Sequence, residues 1–154
     1  MPVLYFAYGS NMSGARLRSR IASAEVVGPA FLKDMEMLFN KRGSDGSGKA
    51  NLVESPGGVT WGVLWKISPR DLDTLDKVEG GYDRVAVQAW KSDGNVVGAV
   101  TYVSGRLSDD PRAYEWYKEI VIAGAREHDL PRDYIAYLER FPSKPGGTES
   151  EAIG

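Results

Sequence analysis

The stretch Tyr5-Phe6-Ala7-Tyr8-Gly9-Ser10-Asn11-Met12 sets the reading of the whole chain. It begins as an apolar run, breaks at Gly-Ser-Asn, and is followed by a helix-like segment. A strand that stops at such a turn leaves backbone N–H groups facing outward without a ladder or helix partner. Donors of that kind suit a carboxylate or a developing oxyanion. The plainer reading, a first strand and an ordinary Asn/Gly turn, stays open on this pattern alone.

Outward from it, Val3 to Tyr8 reads as a buried strand and Ser13 to Ile21 as a short helix. Val26 to Leu32 contains Gly28-Pro29 and reads as a broken or edge strand. Met35 to Phe39 alternates as a strand. The Gly/Ser-rich run 40–49 reads as a loop, Asn51 to Glu54 as a strand that Ser55-Pro56-Gly57-Gly58 ends, and Val59 to Ile67 as a strong strand. Ser68-Pro69-Arg70-Asp71 has the residues of a helix start, and that helix runs to about Glu79 before Gly80-Gly81. Arg84 to Lys91 and Val96 to Val103 flank the hairpin turn Ser92-Asp93-Gly94-Asn95. Asp110-Pro111 opens a long helix to about His128, and Pro131 to Arg140 a shorter one. Short, hairpin-spaced strands with interspersed helices predict an α+β domain, a mixed, curled sheet or small barrel over residues 1–141. Residues 142–154 are polar and Gly/Pro-rich, and read as a flexible tail.

Composition narrows the chemistry. The 154 residues suit one domain, and the net charge of −2 without a Lys/Arg run argues against a nucleic-acid partner. The chain has no cysteine, which excludes thiol nucleophiles, disulfides and thiolate metal sites. Its single histidine, His128, makes a His-rich metal centre or a His-based triad a poor fit, and no cofactor is called for. No apolar run approaches the roughly 18 residues needed to span a bilayer, and no secretory start is visible, so a cytoplasmic protein without a membrane partner is expected. Charges and periodicity are compatible with a homodimer without demanding one.

One carboxylate stands out. In the helix after Ser68, Leu72 and Leu75 define the apolar stripe, and Glu79 falls near its middle. A glutamate aimed at a core has its pKa raised by desolvation, toward the range where it both takes and gives a proton. The alternatives are that the helix has already ended and the side chain reaches solvent, or that it pairs with Arg84. Other motifs carry less. Gly43, Gly48 and Lys49 match a phosphate-binding loop up to Ala50, where the magnesium-binding hydroxyl is missing. Ser10 lacks the glycine elbow of a serine hydrolase. Tyr5, Tyr8, Tyr82, Tyr102 and Tyr117 read as core or rim, several beside glycines or strand ends where a pocket opens.

Taken together, Tyr8-Gly9-Ser10-Asn11-Met12 after an apolar strand and Glu79-Gly80 after a short helix resemble the γ-glutamylcyclotransferase family. Gly48-Lys49-Ala50-Asn51, Gly62-Val63-Leu64-Trp65, Tyr117-Lys118-Glu119-Ile120, Gly124-Ala125-Arg126-Glu127 and Leu130-Pro131 match in order, so the resemblance covers about residues 3–140. It implies a small barrel-like α+β fold with a cavity, and Glu79 as the acid/base. By position it carries substrate binding to Tyr5, Phe6, Ala7, Tyr8, Gly9 and Ser10, largely through backbone N–H groups, and to Tyr117. Asn11 of the same turn and Tyr82 beside the glycines complete the candidate set. The tight spacing Glu79-Gly80-Gly81-Tyr82-Asp83-Arg84 is shorter than in the family's best-known animal members, which leaves the substrate open.

Cyclisation also answers the lack of a protein nucleophile. The α-amine of a γ-glutamyl compound attacks its own γ-carbonyl, so ring closure supplies proximity. Products are then 5-oxoproline and an amine or amino acid. γ-Glutamyl transfer to an outside amine, an amine-releasing tailoring reaction, and a non-catalytic small-molecule-binding module on the same fold are the other readings.

Overall fold

The computed structural model describes residues 2–146. Five strands close a barrel: β1 (Val3–Ala7), β2 (Glu25–Arg42), β3 (Gly48–Ile67), β4 (Asp83–Lys91) and β5 (Val96–Val103). Their order around it is β1-β3-β2-β4-β5. Every ladder is antiparallel except the closing one, in which Tyr5 of β1 meets Val100 of β5 in parallel. The mixed small barrel expected from strand spacing is thus the observed architecture.

The strands run further than read, and the loop expected over 40–49 is confined to 43–47. Gly28-Pro29 and Ser55-Pro56-Gly57-Gly58 do not end strands; β2 and β3 run through them as a ribbon 18 and 20 residues long. Its register slips between Val26 and Gly28, between Lys33 and Met35, and between Leu38 and Lys41. At the second slip Asp34 takes a left-handed conformation (φ 61°), and its carboxylate accepts from the Gly57 N–H at 2.9 Å. Gly57 itself has φ 81°, which glycine adopts without steric cost. Such bulges bend a strand and increase its twist, and here they let two long strands wrap a barrel wall. The turn closing the ribbon is tight: Gly43 N–H bonds Ser47 carbonyl at 2.8 Å.

The first two helices begin at their serine caps. Ser13 caps α1 (Gly14–Arg20), its hydroxyl accepting from the Arg16 N–H at 3.3 Å. Ser68 caps α2 (Pro69–Val78) through the Asp71 N–H at 3.1 Å, and Leu72 and Leu75 are buried beneath it. Replacing Ser68 with alanine is expected to lower stability by about 1 kcal/mol, measured by denaturant unfolding; an unchanged midpoint would show the cap to be idle.

The long C-terminal helix begins later than Asp110-Pro111 suggests. Ala113–Tyr114 form a short strand, β6, and α3 spans Glu115–Glu127. Asp110 is engaged elsewhere, with Arg112 at 2.8 Å and Lys144 at 3.1 Å. α4 covers Arg132–Glu139. Against expectation the segment after Pro142 is partly ordered, since Ser143–Lys144 (β7) pair in parallel with β6. The rest of the expected tail, 147–154, lies outside the described residues. Met12, Leu17, Phe39, Leu64, Trp65, Leu75 and Val121 are among the fully buried side chains, so one core joins barrel and helices. Gly124 of α3 lies against the 3-10 turn Ser10–Met12 that follows β1. A side chain there would meet the Met12 Cβ at 2.8 Å and the Ser13 nitrogen at 2.9 Å. Among the described residues no helix is long and apolar enough to cross a membrane.

Candidate active site

α2 ends one residue earlier than read, and Glu79 is its C-cap. The Glu79 N–H bonds the Leu75 carbonyl at 2.8 Å, and its own carbonyl receives the Tyr82 N–H at 3.0 Å. Ending the helix does not release the side chain to water: Glu79 is 6% exposed. Arg84 is not its partner, since that guanidinium lies 3.5 Å from Asp76. Instead the Asn11 side-chain amide donates to Glu79 Oε1 at 2.8 Å and to the Tyr5 hydroxyl at 3.1 Å. The first turn and the glutamate are therefore in direct contact across 68 residues of sequence.

Burial dominates the electrostatics of this carboxyl and raises its pKa. Arg20, the Asn11 hydrogen bond, Lys41 and Arg16 oppose the rise without cancelling it. The tyrosines around it shift upward as well, first by burial and then by the charge of Glu79 or by each other. They are neutral phenols near neutrality. Most are fixed in place by backbone contacts. Tyr8 donates to the Tyr102 carbonyl, Tyr82 donates to the Ala50 carbonyl at 2.7 Å, and Tyr117 accepts from the Ala50 N–H at 3.2 Å.

These groups line one narrow cleft. The structure brings Tyr5, Tyr8, Gly9, Ser10, Asn11, Glu79, Tyr82 and Tyr117 to it. Phe6 and Ala7, expected in the same set, are not on its lining. Both lie within the β1–β3 ladder, opposite Leu64 and Val63. The Phe6 carbonyl is taken by the Thr101 hydroxyl at 2.7 Å. Its ring lies on the Gly62 side, where an added Cβ would meet it at 2.6 Å.

Ala50 and Thr101 also line the cleft, and sequence reasoning missed them. Their signal was strand alternation, which gives a face but not which strand meets which. Gly9 needs its missing side chain: a Cβ would sit 2.8 Å from that of Ala50. Among the described residues the Gly9 N–H takes no part in ladder or turn bonding, whereas the Met12 and Ser13 amides are used by the turn at 3.1 Å each.

Behind Tyr117 stands the Lys49 that resembled a phosphate-loop lysine. It is buried, bonds Asp45 at 3.1 Å, and its ammonium lies 4.6 Å from the Tyr117 ring centre and 5.2 Å from that of Trp116. Asp45 is held in turn by the Ser47 N–H and hydroxyl. The segment backs Tyr117, with its lysine committed to Asp45.

Residues 59–138 match the model of the AIG2-like family. Over 97% of its length the chain is 33% identical to human γ-glutamylcyclotransferase, of which it covers 85%. The chain belongs to the γ-glutamylcyclotransferase family. Its counterpart from Bos taurus is 34% identical over the same share. A solved γ-glutamyl cyclotransferase structure superposes with a TM-score of 0.88 at 28% identity, covering 97% of this chain and 93% of the other. As a family member the chain is a cyclotransferase-type enzyme on the AIG2-like fold.

Proposed function

We propose that the chain cyclises a small γ-glutamyl compound to 5-oxoproline and releases an amine or amino acid, with Glu79 as base and then acid. The observation that supports this most is the buried Glu79 carboxyl bonded to Asn11 of the first turn. Glu79 takes a proton from the substrate α-ammonium. The freed nitrogen attacks the γ-carbonyl carbon, forming the ring C–N bond and an oxyanion. As the oxyanion collapses and the old C–N bond breaks, the protonated Glu79 gives its proton to the departing nitrogen, and the ring nitrogen's second extra proton passes through the same carboxylate to the released amine, which leaves as an ammonium. A raised pKa suits both halves of this cycle, since the same group accepts each proton and returns it. The free Gly9 amide suits the oxyanion or the α-carboxylate. Tyr5, Tyr8, Ser10, Tyr82 and Tyr117 shape the pocket around the glutamyl group.

Incubation with a panel of γ-glutamyl amides, followed by mass spectrometry, tests the reading. 5-Oxoproline in the mixture supports it. Exclusive γ-glutamyl transfer, or no turnover of any member, refutes it.

The pH profile carries a prediction of its own. The base works only when deprotonated, so the rate falls as pH drops through the Glu79 pKa. Asn11 holds that pKa down by donating to the charged form. Asn11→Ala is therefore expected to move the acid limb of kcat/KM to higher pH. A limb that stays in place would mean that Glu79 is not the group being titrated.

A further inference from the structure

The chain's single histidine takes no part in the chemistry above, yet it stands directly behind the first turn. His128 is the C-cap of α3. Its Nε2 lies 2.9 Å from the Met12 carbonyl oxygen and 3.1 Å from Glu127 Oε2. Both of those groups are acceptors, which assigns the ring proton to Nε2 as a donor. The side chain is 11% exposed, and its ring meets the buried Trp65 edge-on with centroids 5.4 Å apart. The charged groups around it are Glu127 on its own helix and Arg18 of α1, which lies 5.1 Å from the centre of the same Trp65 ring. Protonation of the imidazole leaves the Nε2–H in place, so the bond to Met12 holds in either state.

The rest of the last turn of α3 grips the same stretch. The Glu127 carboxylate accepts from the Gly14 N–H at 3.2 Å, and Gly124 packs against Met12 and Ser13. Of these contacts, the His128 bond falls on the residue next to Asn11. The Asn11 amide reaches both the Tyr5 hydroxyl at 3.1 Å and Glu79 Oε1 at 2.8 Å. A shift of about 1 Å in the turn stretches the second bond beyond hydrogen-bonding distance.

We propose that His128 is a positioning residue for Glu79: by holding the Met12 carbonyl it fixes the turn from which Asn11 donates to the carboxylate. The proposal rests on the cyclisation reading above. His128 touches neither substrate nor Glu79, and its influence passes through the turn and the Asn11 amide.

The test uses His128→Phe, which keeps an aromatic ring against Trp65 and removes the donor, and His128→Gln, which restores an N–H donor. 5-Oxoproline release is followed across pH. His128→Phe is expected to lower kcat/KM at neutral pH by roughly three- to tenfold, the worth of one hydrogen bond, and to move the acid limb to higher pH as Asn11→Ala does. His128→Gln should bring the limb back toward its wild-type position. Arg16, Arg20 and Lys41 also face Glu79 and are unchanged in every variant. In the Asn11→Ala background, His128→Phe should move the limb no further, since the group it positions is already gone. A limb that stays in place in folded His128→Phe overturns the positioning role alone, as does a shift that adds in full to that of Asn11→Ala. Should His128→Phe fail to fold, His128→Ala takes its place; failure of both assigns His128 to holding the fold and likewise overturns the proposal. Absence of 5-oxoproline from the wild-type reaction overturns the cyclisation reading, and the positioning role falls with it.

Discussion

Glu79→Gln loses about 10²-fold or more of its 5-oxoproline release while folding as the wild type does. Glutamine keeps the shape and still accepts from the Asn11 amide at Oε1, so the contact to the first turn survives. What disappears is the proton shuttle. Stability supplies a second readout with a definite sign. A carboxyl whose pKa is raised by folding stabilises the protein fully below its unfolded-state pKa and loses that contribution as pH rises through the folded value. Wild-type melting temperature therefore declines across that window, and the glutamine variant lacks this decline. The variant is accordingly as stable as the wild type at neutral pH, or more so. Undiminished 5-oxoproline release from the variant removes Glu79 from the chemistry; a lower melting temperature at neutral pH assigns it to holding the fold.

Gly124→Leu is expected to destabilise the protein by at least about 2 kcal/mol and to abolish turnover with it. The helix backbone sits against Met12 and Ser13, and the clash includes a main-chain nitrogen that cannot swing aside. α3 also carries Tyr117, so displacing it separates that phenol from Ala50. Gly98 on β5 makes a control. A Cβ there meets nothing within 4 Å, and Gly98→Ala should leave both stability and rate close to wild type. Calorimetry on both variants decides the matter, and equal melting temperatures would mean that the α3 contact does not constrain the turn.

Local chemistry made much of this molecule legible in its sequence. Ser68, Pro69 and Asp71 mark a helix start that the coordinates place there, and the hairpin turn at Asp93-Gly94 separates two strands that pair through their whole length. The apolar stripe of Leu72 and Leu75 pointed Glu79 inward. Errors arose where tertiary partners override local signals. Pro56 and Gly57 look like a strand end until Asp34, 23 residues away, caps them into a bulge. Asp110 looks like a helix cap until Lys144 engages it. Phe6 and Ala7 belong to a run whose ends, Tyr5 and Tyr8, line the cleft while these two do not.

The barrel closes through the parallel contact between Tyr5 and Val100, and the cleft gathers residues from position 5 to position 117. During synthesis the first strand leaves the ribosome long before the partners that complete the pocket. A nascent chain thus holds its Tyr-Gly-Ser-Asn turn unmatched until the start of α3 has cleared the exit tunnel, and only then gains a place for substrate to bind.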